Sequence, residues 1–190
     1  MYQLRITIDD ITPQIWRTIQ IPGTYSLNKL HHIIQIAFGW TNSHLYCFIK
    51  NNITISNQLV EIEEPVVDDR RVKIKDVFNE IGDRLPYEYD FGDSWQHTIK
   101  LEKIEEGGLK APRCLDGARA APPEDCGGVH GYKELIHHLL YPEKDGYIEL
   151  LEWLDDDYDS EAFDLHGVNM QLKSLAKYIR TFDEENGLTS

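Results

Sequence analysis

The order in which apolar periodicity changes along this chain predicts an α+β fold: a roll-like antiparallel sheet, an N-terminal helix packed on it, and a helical C-terminal region. Three observations carry that reading. Residues 2–20 alternate like two paired strands, residues 26–39 repeat at helical spacing between a cap and a glycine stop, and the longer helical patterns that follow lie beyond residue 131. On this reading residues 1–190 make one α+β domain, of which 132–190 are mostly helical and acidic.

Tyr2, Leu4, Ile6 and Ile8 point one way and Gln3, Arg5 and Thr7 the other, as in a half-buried strand. Asp9 to Pro13 supplies a turn, and Ile15, Arg17 and Ile19 then alternate with Trp16, Thr18 and Gln20, so an antiparallel pair is expected. Ser26 is placed to cap a helix whose Leu27, Leu30, Ile33, Ile34, Ala37 and Phe38 form one stripe, and Gly39 ends it. His31 and His32 sit beside that stripe, partly exposed or hydrogen-bonded. Leu45 to Ile49 and Ile53 to Ser56 read as a hairpin turning at Asn51-Asn52, and Val72 to Ile81 as a short helix closed by Gly82. Gly107 to Gly131 holds six glycines and three prolines among 25 residues, which predicts a long irregular loop. Beyond it Tyr132 to Leu140, Gly146 to Leu154 and Met170 to Thr181 look helical.

The richest stretch runs from Tyr87 to His97. If Gly92-Asp93 alone formed the turn, the aromatic residues would divide between two faces. A loop of Gly92-Asp93-Ser94 instead unites Tyr87, Tyr89, Phe91, Trp95, His97, Ile99 and Leu101 on one face, and burying that set together favours this register. It puts His97 among rings on the covered face and Asp93 at the tip. The triplet Asp90-Phe91-Gly92 also occurs in protein kinases, but no glycine-rich nucleotide loop accompanies it here.

In the long loop Cys114, Cys126 and His130 stand among Asp116, Glu124 and Asp125. Two thiolates and an imidazole, completed by His97 or His44, are a donor set for zinc, although the close Cys-x-x-Cys spacing is missing. The metal candidates are therefore His97, Cys114, Cys126 and His130, and zinc is the one cofactor the sequence suggests. The alternative is a loop held by proline stiffness and by Glu124 and Asp125 bonding to neighbouring amides, with Gly127-Gly128 supplying positive backbone angles.

Composition limits the partners. The 19 basic and 33 acidic residues give a net charge of −14, and residues 141–190 alone carry 13 Asp and Glu against 4 Lys and Arg, so nucleic acid is disfavoured. The acidic run Asp155 to Glu161 reads as a solvated connection, with a cation or a basic partner as the alternative. The N-terminus lacks the pattern of a leader, no apolar run is long enough for a bilayer, and three cysteines are an odd set; a cytoplasmic, disulfide-free protein without a membrane partner is expected.

The chain resembles the family named after the third open reading frame of an Ri plasmid, many of whose members are labelled TnpR-type passenger proteins of insertion elements. The likeness rests on Ile15-Trp16-Arg17, on Phe38-Gly39-Trp40 followed by His44-Leu45, on Tyr87-x-Tyr89-Asp90-Phe91-Gly92-Asp93-x-Trp95-x-His97, and on Pro122-Pro123-Glu124-Asp125-Cys126-Gly127-Gly128 leading to Gly131-Tyr132. It implies a roll-like α+β fold and a link with mobile elements, and it brings no catalytic set. Recombinase chemistry does not fit, because a resolvase needs a nucleophilic hydroxyl amid arginines and a basic DNA-reading helix.

The expectation is a domain that binds a small molecule or a protein where the hairpin tip, the Pro/Gly-rich loop and the Trp40–His44 segment meet. Asp90 and Asp93 would accept hydrogen bonds, Trp40 and Trp95 would wall the site beside His44, and Glu124 and Asp125 would anchor the loop. The alternative is a hydrolase in which zinc on His97, Cys126, His130 and a carboxylate activates water.

Overall fold

The structure is a computed structural model that describes residues 1–57, 65–108, 111–141, 154 and 158–188. The expected helix from Gly146 and the run Asp155 to Asp157 lie outside the described residues. The elements are β1 (Tyr2–Ile8), β2 (Trp16–Ile21), α1 (Leu27–Phe38), β3 (Tyr46–Lys50), β4 (Ile53–Ser56), β5 (Val67–Asp68), α2 (Ile74–Val77), β6 (Arg84–Tyr89), β7 (Trp95–Ile104), β8 (Arg113–Ala118), α3 (Gly128–Leu140), α4 (Leu165–Leu172) and α5 (Leu175–Glu185). The fold is α+β, built on a mixed sheet in the order β5-β4-β3-β6-β7-β1-β2-β8. Every neighbouring pair is antiparallel except β4 with β5 at one edge.

β1 pairs with β2 from Tyr2↔Ile21 to Thr7↔Trp16 and on its other side with β7, so its alternation buries Leu4, Ile6 and Ile8 at the middle of the sheet. Ser26 Oγ accepts from the Lys29 amide, and Gly39 closes α1 at φ +77 with its N–H on Gln35 O. A cap of this kind stabilises by about 1 kcal/mol, whereas each of the buried Leu27, Leu30, Ile33, Ile34 and Phe38 contributes about 1.5–3 kcal/mol, so packing fixes the helix and the caps fix its ends. α1 runs between the sheet and the C-terminal helices: His31 stacks on Tyr46 of β3 at 3.4 Å, while His32 meets Tyr178 and Phe182 of α5. Both histidines are buried rather than half-exposed, and both are hydrogen-bonded, His31 to Tyr87 Oη and Asn42 Oδ1, His32 to Asn42 Nδ2.

Four expectations change, the first being that Met170 to Thr181 is not one helix but covers the end of α4 and most of α5, with a break at Lys173-Ser174. The helix after Val72 is only Ile74–Val77. The segment from Gly107 is not irregular throughout: Arg113–Ala118 forms β8 and pairs with β2, placing Cys114 opposite Ile19 and Gly117 opposite Arg17. In the hairpin Tyr89 pairs with Trp95 and Tyr87 with His97, so the loop runs from Asp90 to Ser94. That is two residues longer than expected. A two-residue shift keeps every face, so Tyr87, Tyr89, Trp95, His97, Ile99 and Leu101 are buried as a set, and only Phe91 is displaced to the surface.

Candidate functional site

The lengthened loop is held from within. Asp90, at φ +57, takes the Gly92 amide on Oδ1 at 2.9 Å, and its carbonyl takes the Ser94 amide, which bends the tip over. The tip then reaches the start of α3. Asp93 Oδ2 accepts from the Gly127 amide at 3.1 Å, and a Cβ on Gly128 would lie 2.3 Å from Asp93 O, so this approach requires glycine.

Glu124 ties the same loop to two other elements. Its Oε1 accepts from the Tyr89 hydroxyl, and its Oε2 accepts from the Thr41 amide at 3.0 Å and from the Thr41 hydroxyl. One residue on, Asp125 Oδ1 stands 3.4 Å from His44 Nε2, and Asp90 Oδ1 stands 3.6 Å from His44 Nδ1. Among the described residues His44, Asp90 and Asp125 are the one group of three or more His, Cys, Asp and Glu side chains whose donor atoms all lie within 4.8 Å of one another.

Trp40 forms the partition behind them. It stacks on Tyr89 at 5.0 Å and on Phe38 at 5.3 Å, and its Nε1 donates to Pro122 O at 2.9 Å. On its other side lies a cleft of about 580 Å³ between the end of α1, the Ala120 to Glu124 loop, and α4 with the segment leading into it; Trp40, Thr41, Glu124, Tyr158, Ala162 and Phe163 are in its lining. Its floor is Arg17, an inward position of β2. The guanidinium donates to Trp16 O, Ala37 O, Ala118 O and Arg119 O at 2.8–2.9 Å and lies over the rings of Phe38 and Phe163. Burial pulls its pKa down to about 10. Gly117 leaves room for this stack, since a Cβ there would meet Phe163 at 2.6 Å and Arg17 at 2.8 Å.

These elements carry the residues of a known family, for residues 1–167 match the one described as plasmid pRiA4b ORF-3-like protein. The chain belongs to that family. It is 36% identical over 177 residues to the uncharacterized protein y4hQ of Sinorhizobium fredii, covering 92% of this chain and 91% of that protein. The crystal structure of a protein of unknown function, MM3350 from Methanosarcina mazei Go1, superposes with a TM-score of 0.79 at 38% identity, over 87% of this chain and 94% of that chain. The motifs that carry the family likeness supply Arg17, Trp40, His44, Tyr89, Asp90, Asp93, Glu124 and Asp125, so the cleft floor, the partition and the His44 cluster are all built from them.

The expected site residues divide. Asp90, Asp93, Trp40, His44, Glu124 and Asp125 meet at one junction. Trp95 does not line it: the ring is fully buried behind Trp40, 6.4 Å away, as part of the core. The set His97, Cys114, Cys126 and His130 is not brought together. His97 is locked among Phe38, Trp40 and Tyr87 with Nδ1 on Trp95 O, and burial lowers its pKa to about 4. Cys114 faces inward from β8, and burial raises its thiol to about 11. Cys126, near Asp93, is raised to about 12 by burial and then by that carboxylate. His130 is exposed on α3 beside Glu134. Sequence reasoning missed Arg17 as a cleft residue, although a charge at an inward position of an alternating strand was its signal; it had none for Phe163 or Tyr158. No helix among the described residues is long and apolar enough to cross a membrane.

Proposed function

We propose that the protein is a small-molecule-binding domain whose ligand occupies the cleft between the end of α1, the Ala120 to Glu124 loop and α4. The observation that carries this reading is the cleft itself: about 580 Å³ is within the usual range for ligand pockets, and the lining combines aromatic walls with a few placed polar groups. Phe38, Trp40, Tyr158 and Phe163 supply flat apolar surface, and Glu124, Gln171 and the Arg17 guanidinium supply orientation. The polar groups are preorganised, since Glu124 is fixed by Tyr89 and Thr41 and Arg17 by four carbonyls.

The test uses Ala162, which is exposed at the cleft lining, so a large side chain there fills the space without disturbing the core. The protein and its Ala162→Trp variant are each incubated with a small-molecule cell extract, washed and denatured, and the released compounds are identified by mass spectrometry. A compound released by the wild type and not by the variant supports the proposal; identical release from both overturns it.

A further inference from the structure

We propose that His44 and Asp125 form a binding site for a divalent transition-metal ion, with zinc as the reference ion, and that Asp90 positions His44 from behind. The site lies across the Trp40–Tyr89 partition from the cleft and is independent of it.

The argument starts from an asymmetry between two carboxylates. Asp90 is buried, its side chain only 8% exposed, and Gly92 N–H holds its Oδ1 in place on the Nδ1 side of the ring. Asp125 is 73% exposed and stands on the Nε2 side. Asp90 Oδ1 stands 3.6 Å from Nδ1, beyond a direct hydrogen bond, so it acts on the ring through its negative field, which favours the tautomer with its proton on that side and leaves the Nε2 lone pair toward Asp125 and solvent. A carboxylate on the side of the far nitrogen is the usual support of a metal-ligating histidine.

Neither carboxylate is in direct hydrogen-bond contact with the ring. A charge-assisted hydrogen bond between imidazole and carboxylate runs about 2.7–2.9 Å. Here the two carboxylates stand at 3.6 and 3.4 Å. The 3.4 Å between Nε2 and Asp125 Oδ1 instead matches the ligand-to-ligand edge of a zinc tetrahedron, about 3.3 Å for bonds of about 2.0–2.1 Å. One imidazole and one carboxylate suit zinc, cobalt or nickel better than calcium, and the exposed side leaves the remaining positions to water or to a ligand carrying its own donor.

The full chain, stripped with EDTA, is titrated with zinc chloride by calorimetry. We expect one ion per chain, binding at least tenfold weaker in Asp125→Asn, lost in His44→Gln, and weakened about 10–100-fold in Asp90→Asn, in which the ligands remain but their support is impaired. Asp125 is exposed, so its variant folds, and the melting curve of each variant verifies this. His130→Ala is the control, because His130 and Glu134 lie one turn apart on the exposed side of α3. Absence of zinc binding overturns the proposal. So does binding that survives both Asp125→Asn and His44→Gln, or that is lost in His130→Ala. None of these variants touches the cleft lining, so the outcome is separate from that of the Ala162→Trp experiment.

Discussion

Asp93 and Gly127, 34 positions apart in the sequence, are joined by a hydrogen bond of 3.1 Å from the Gly127 amide to the Asp93 carboxylate. The contact seats the tip of the β6–β7 hairpin on the first turn of α3, and the next residue, Gly128, presses its α-carbon toward the Asp93 carbonyl. The junction of hairpin, loop and Trp40 segment depends on that approach.

Gly128→Ala is therefore expected to be destabilising by at least about 2 kcal/mol, because φ +65 costs a non-glycine residue about 1–2 kcal/mol and the new methyl group meets Asp93 O as well. Gly127→Ala separates the two effects. Its φ of +87 carries similar backbone strain, but its nearest neighbour is Gly131 Cα at 3.6 Å, an ordinary contact. Urea unfolding of both variants is the measurement, and equal losses would mean that the close approach is absent.

Arg17→Lys is expected to destabilise the fold by about 2–4 kcal/mol. Four carbonyls converge on one planar guanidinium, and an ammonium group cannot reach all of them, so two or three buried acceptors lose partners at about 1 kcal/mol or more each. Denaturant midpoints of the two proteins give the number. A loss below about 0.5 kcal/mol would show the guanidinium geometry to be unimportant.

Acid is expected to weaken the fold between about pH 6.5 and pH 4. Burial lowers His32 and His97 to about 4 and holds His31 well below its usual value, so in this window the unfolded chain binds more protons than the folded one, and stability falls as pH falls. Asp69 opposes the trend, because burial raises it to about 6 and the folded state then holds the extra proton between about pH 6 and 4. The three imidazoles outweigh Asp69 and Asp9, whose carboxyl burial also raises, and leave a slope of about 1–3 kcal/mol per pH unit near pH 5.5. Unfolding free energies at pH 7.0, 6.0 and 5.0 are the check, and a flat profile would mean that the three imidazoles are hydrated.

β1 and β2 were legible because their apolar residues alternate, and α1 because its apolar residues recur at helical spacing between Ser26 and Gly39, although the helix is buried well beyond that stripe. The hairpin faces were legible for the same reason, but its loop length was not: pairing Tyr89 rather than Phe91 with Trp95 moves the register by two, and periodicity is blind to an even shift. β8 escaped because Cys114 is its one fully buried residue, and an edge strand is held by backbone pairing that leaves little trace in side-chain pattern. The His44 cluster draws on Asp90 and Asp125, 35 positions apart, and only the folded loop brings them to one imidazole. The cysteine spacing suggested a metal for a different reason, and the strand that carries Cys114 takes it inward, away from that set.

Ten of the twelve residues of α1 are buried, and only Asn28 and Lys29 escape. A helix wrapped on both flanks has no free stripe with which to grip another macromolecule, so it acts as the molecule's axle. Recognition then falls to the loops gathered where that axle ends, at Gly39 and Trp40, and sequence change there can retune what is recognised while the packed interior stays as it is.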